Sequence, residues 1–191
     1  MSIPTSSNSL NLPSTLSTDS ADTNTLNANM SNDVQTYALA CDAYSEAQAT
    51  YALDMEHFNE LAKSDPMAAF IYFLEVCCED LLSTMEAQIN VFSTSMNISN
   101  DLRSFVTDAT NKMNAAGNMT SDQGTAFYDD VNDLKIWTNY LSGQTGSDFS
   151  QTPTDGTYLA PIDTTNATNL ISDCDSITTQ FGTNWTSGAS V

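Results

Sequence analysis

Two long runs of apolar residues at helical spacing, parted by one short break, limit what this chain can fold into. The first reads Val34, Tyr37, Cys41, Tyr44, Gln48, Tyr51, Met55, Phe58 and Ala62, a three-four alternation interrupted by one glutamine. That spacing lays a stripe along one side of a helix and predicts a helix over about 33–63. The second reads Phe70, Leu74, Cys77, Leu81, Met85, Ile89, Phe92 and Met96, and it weakens over 97–100. It resumes through Leu102, Phe105 or Val106, Ala109 and Met113, and Gly117 is expected to end it.

The break reads LAKSDP. Ser64 or Asp65 can cap a new helix, and Pro66 takes its first position, where a missing N–H removes no hydrogen bond. A chain that reverses here sets side by side positions whose numbers sum to about 130. Phe58 then faces Phe70 to Tyr72, Met55 faces Leu74, and Tyr51 faces Cys77 or Cys78. Tyr44 faces Met85, Cys41 faces Ile89, and Tyr37 faces Phe92. Apolar meets apolar throughout, so a long antiparallel, coiled-coil-like helical hairpin over 33–117 is expected. Ile71 and Phe73 belong to the run MAAFIYFLEVCC, about half the length of a membrane span. Glu75 interrupts it, so no stable membrane insertion is expected.

The flanks differ from the hairpin. Residues 1–32 are rich in Ser, Thr and Asn, hold Pro4 and Pro13, and carry no Lys or Arg. Ordering a backbone costs about 1–2 kcal/mol per residue, and few large apolar residues are present to offset it. A disordered N-terminus is expected, without the basic and apolar regions of a secretory signal. Residues 118–191 predict two shorter helices. One carries Phe127, Val131, Leu134, Trp137 or Thr138 and Leu141, and ends at Gly143. After a loop with Pro153, Gly156 and Pro161, another starts near Asp163 and carries Ala167, Leu170, Ile171, Cys174, Ile177 and Phe181, with Gly182 as its stop. Trp185 is a candidate exposed anchor. The expected fold class is all-α.

Charge narrows the partners. Four basic residues (Lys63, Arg103, Lys112, Lys135) stand against 24 acidic ones, for a net charge of −20. Such a surface repels phosphate backbones and cannot hold anionic lipid by a basic patch, which excludes nucleic acid. Neutral or basic proteins, cations and apolar surfaces remain. Cys41, Cys77, Cys78 and Cys174 lack metal-site spacing and read as buried free thiols. His57 has no neighbouring nucleophile to activate, and no catalytic or nucleotide-binding fingerprint occurs. No catalytic residue, metal or cofactor is therefore expected. Glu79-Asp80 and Asp129-Asp130 diverge on a helix and read as solvated faces. Asp129, Asp130 and Asp133 could gather on one side and hold calcium weakly, but the EF-hand loop is missing. Tyr37, Tyr44 and Tyr51, seven residues apart, read as hairpin core.

The segment Lys63-Ser64-Asp65-Pro66 between two long helices resembles the turn of type III secretion needle subunits. The uncharged Ser/Thr/Asn-rich head is similar to a type III export signal, which is read while unfolded. Chain length and head are also similar to those of filament-forming translocon proteins of the EspA and SseB kind. The resemblance covers about residues 1–113. It implies a secreted protein of the bacterial cell surface, a non-enzymatic structural subunit of a needle, filament or tip. Its partners would be further copies of itself, as a homo-oligomer or filament, and it allows an export chaperone. The added region 118–191 keeps a second reading open, a secreted helical effector or adhesin-like module that binds a host protein.

Overall fold

The structure, a computed structural model, describes residues 12–17, 21–115, 121–144 and 164–181. All regular structure among them is helical: α1 (Ala21–Ser64), α2 (Pro66–Tyr72), a π-helical turn (Phe73–Cys77), α3 (Cys78–Ala115), α4 (Ser121–Gln144) and α5 (Thr165–Phe181). The fold is all-α, with a long helical hairpin and two shorter helices after it. Among the described residues, no helix is long and apolar enough to cross a membrane.

One boundary moves. Helix α1 starts at Ala21 instead of near residue 33, and Thr23, Asn27 and Met30 on its added turns are buried. Two of those three are polar, so an apolar pattern could not reveal them; hydrogen bonds satisfy them instead. The remaining part of the expected disordered head, residues 1–11 and 18–20, lies outside the described residues, as do Gly117, the loop at 145–163 and Trp185.

The hairpin turn is built as its residue types require. Asp65 caps α2, its carboxylate accepting the Ala68 N–H at 3.0 Å, and Pro66 opens the helix. The Asp65 N–H still donates to the Leu61 carbonyl at 2.8 Å, so the reversal leaves few backbone groups unsatisfied. The Ser64 hydroxyl turns back to the Leu61 carbonyl at 3.3 Å, which leaves the cap to Asp65. Beyond the turn, Tyr72, Phe73 and Cys78 keep right-handed helical dihedrals, and α2, the π turn and α3 run on as one arm. A π turn holds one residue more than an α turn, so it offsets the side-chain phase by about 100°.

The chain divides into two compact units. A bundle unit comprises Met1–Ser31, Arg103–Gly143 and Thr165–Val191. Its buried residues include Met30, Phe105, Leu134, Trp137, Leu141 and Ala167. Ala109, Phe127 and Cys174 form a cluster on which Val131 and Leu170 pack. A hairpin unit comprises Asn32–Leu102 and Gln144–Thr164. Its buried apolar residues are Val34, Tyr37, Ala40 and Tyr44 on α1, and Ala69, Cys77, Val91, Ile98 and Leu102 on the returning arm. All four cysteines are free thiols: Cys77 and Cys174 are buried, Cys41 and Cys78 half-buried.

Candidate assembly face

Cross-arm contacts fix the register of the hairpin. The Phe58 and Phe73 rings lie 5.5 Å apart, and His57 meets Tyr72 edge-on at 4.8 Å. The Tyr72 hydroxyl donates to the Asp54 carboxylate. Farther along, Asp54 hydrogen-bonds Asp80, and Asp33 hydrogen-bonds Asp101. All these pairs have numbers summing to about 130, the antiparallel relation that the turn at Asp65-Pro66 imposes.

Within that register, the face that packs is not the one the apolar stripe of the second arm marks. Tyr37 and Tyr44 are buried, and Tyr51, Met55, Phe58 and Phe73 are half-buried. Phe70, Ile71, Leu74, Met85, Ile89 and Phe92 are instead exposed, Ile89 by 64%. The expected pairings of Met55 with Leu74, Tyr44 with Met85, Cys41 with Ile89 and Tyr37 with Phe92 therefore do not form a buried seam. Over 91–95 the returning arm turns smaller residues inward, with Val91, Thr94 and Ser95 buried, and Ile98 follows them one turn on. Small side chains let the helices approach closely around the bulky tyrosines of α1, whereas large residues on both arms would overpack the seam. The Thr94 and Ser95 hydroxyls, buried there, donate to carbonyls of their own helix, which removes the cost of burying them.

The large residues gather on the outer side of α3. At 3.6 residues per turn, Leu81, Leu82, Met85, Ile89, Phe92 and Met96 fall within about 100° of arc, and the buried positions centre about 130° away. All six are exposed, by 42% to 64%. Counting on the order of 100 Å² for each half-exposed large side chain, the stripe presents roughly 600 Å² of apolar surface, more than isolated surface residues explain. Its setting is nearly neutral. From Leu81 to Asn100 the only charged residue is Glu86, whereas α1 carries Asp22, Asp33, Asp42, Glu46, Asp54, Glu56 and Glu60 against Lys63 alone. The exposed Leu39 and Leu53 sit on that acidic arm. Leu82 is a member of the stripe that the three-four reading left out.

The acids fall where their sequence pattern gave no sign of them. Asp101 is pushed up to about 7, by burial first and then by the neighbouring Asp33. Burial, then the contact with Asp54, raises Asp80, while the hydrogen bonds from Tyr72 and Asp80 hold Asp54 below the usual carboxylate range. Tyr72 is pushed up to about 12, mainly by its bond to Asp54.

In the bundle unit, Asp129, Asp130 and Asp133 are buried, not solvated as neighbouring acids on a helix would suggest. Asp130 pairs with Lys112 at 2.5 Å and accepts the Thr23 hydroxyl. Asp133 accepts the Ser17 N–H at 3.0 Å and the Asn27 amide at 2.6 Å, and the Asn27 oxygen accepts the Trp137 indole N–H at 3.0 Å. These acids tie the first turns of α1 to α4. Among the described residues no group of three or more His, Cys, Asp or Glu is placed to hold a metal ion.

Comparison of the chain with protein-family models, with curated proteins and with solved structures gave no match.

Proposed function

We propose that this chain is a structural subunit that acts by self-assembly, as a secreted component of a bacterial needle, filament or tip. The observation that carries this reading is the outer stripe of α3, a run of large apolar side chains that a hairpin of two arms leaves in water. Burying such surface yields about 25 cal/mol per Å² and requires no ligand chemistry. The capped reversal at Asp65-Pro66 and the Ser/Thr/Asn-rich head support the same reading, the first as a rod-like building element and the second as an export address. His57 lies edge-on against Tyr72, a contact that fits a packing role.

Sedimentation velocity with negative-stain microscopy tests the proposal. Twenty net negative charges per copy repel over about 8–10 Å at physiological salt, and added salt screens them without weakening apolar burial. Assembly should therefore strengthen from low to moderate salt. Monomers at every salt concentration up to a protein concentration of about 100 μM, a range that covers weak association, would refute it.

A further inference from the structure

We infer that two copies of this chain pair antiparallel through the outer stripe of α3, with Ile89 meeting its own counterpart at the centre. The inference rests on the self-assembly reading and adds to it the face and the geometry. Three observations on this face select a second copy as its occupant.

The first is charge. A chain with 24 acidic and four basic residues repels itself almost everywhere. Here the outer arm carries Glu86 alone over 81–100, so two copies approach with little like-charge opposition. A basic partner would find its complement on the acidic α1 arm, not on this one.

The second is area. About 600 Å² from the stripe, with the exposed Ser93, Glu86 and Asn97 along one edge, approaches the roughly 800 Å² per partner of a standard interface. An apolar centre with a polar rim is also the usual composition of such a patch.

The third is symmetry. A patch that meets itself about a two-fold axis must be self-complementary. Pairing about Ile89 sets Leu82 at the level of Met96 and Met85 beside Phe92 and Ser93, so large apolar side chains meet along the stripe except at Glu86, which falls level with Phe92. The same pairing brings Arg103 to the level of Glu75, both exposed. A parallel pair would instead stack Glu75, Glu79 and Asp80 on their own copies. Antiparallel helices also set their dipoles in opposition.

The experiment is sedimentation equilibrium on the full chain beside Ile89→Asp, Ile89→Ser and Leu39→Asp, with helix content followed by circular dichroism. Ile89 is exposed, so neither of its replacements disturbs the hairpin interior. Both should weaken self-association at least about 30-fold, the loss typical of a central contact, and Leu39→Asp should leave it unchanged. Orientation is read by disulfide trapping under mild oxidation, with the parent chain as background. Ile89→Cys should cross-link between copies, and Leu82→Cys should not, because antiparallel copies hold that position about 20 Å apart. A parent chain that never associates overturns this inference and the self-assembly reading together. Association that survives Ile89→Asp and Ile89→Ser overturns the face and leaves self-assembly standing. Equal cross-linking at 82 and 89 overturns the antiparallel geometry.

Discussion

The bundle unit and the hairpin unit use their residues in opposite ways. In the bundle, large apolar side chains such as Trp137, Phe105 and Phe127 are buried, and so are three aspartates. In the hairpin, the largest side chains of α3 stand in water while valine, threonine and serine pack inward. Several helices surround a volume and can bury bulky groups with the polar partners those groups need. Two arms share only one seam, and an arm that is apolar on two sides must expose one of them. The bundle thus buries its bulky groups within one chain, whereas the hairpin leaves a stripe of them in water.

Substitutions in the two units sharpen that contrast. Trp137→Ala removes a fully buried indole and its bond to Asn27, and should cost about 3–5 kcal/mol. Phe92→Ala, of similar chemistry but exposed, should change the melting of the dilute monomer by less than about 0.5 kcal/mol. Comparable losses at both sites, measured by urea unfolding, would erase the distinction.

Next in size is Lys112→Met, which leaves the Asp130 carboxylate buried with Thr23 as a remaining partner. We expect a loss of about 2–3 kcal/mol at pH 8, less than for a fully buried pair because Lys112 is partly wet. Asp130 stands at about 6 in the fold, raised by burial and drawn down by Lys112 and Thr23. A raised carboxyl contributes stability that is present below the unfolded value near 4 and is lost as pH rises through the folded one. Removing Lys112 raises the group further, so the variant should lose more at pH 8 than at pH 5. Adding Asp130→Asn should recover at least half of the loss. Equal losses at both pH values would show that the lysine acts by packing alone.

Asp101→Asn probes the hairpin seam. With Asp101 at about 7, its contribution is present below pH 4 and is lost as pH rises to 7. An asparagine keeps a hydrogen bond to Asp33 without the charge. The variant should melt about 2–4 °C above the parent at pH 8, the shift expected for about 1 kcal/mol in a chain of this size, and alongside it at about pH 4. A parent whose melting does not fall between pH 5 and 8 would speak against the Asp33–Asp101 contact. A loss of similar size belongs to Asp65→Ala, which removes the cap of α2 and should cost about 1 kcal/mol, read as a lower urea midpoint with an unchanged slope.

The sequence by itself determined the helices and the reversal between the hairpin arms. Three-four spacing sets helix and phase, and an aspartate before a proline sets a start, because both act through the nearest turn of backbone. For the same reason Phe127, Leu134, Trp137 and Leu141 were legible as one face of α4, and all four are buried. Only the tertiary structure decided which side of α3 packs. Over 81–96 that helix carries two stripes, one of large residues and one of valine, threonine and serine, and the choice depends on the bulk of the tyrosines opposite. The π turn at Phe73–Cys77 adds a phase offset that no period reading across it can detect. The buried acids were hidden likewise. Asp130 and Asp133 become interior groups because Lys112, Thr23, Asn27 and Ser17 reach them from elsewhere in the chain. A carboxylate's place, inside or out, follows from partners that only folding brings near.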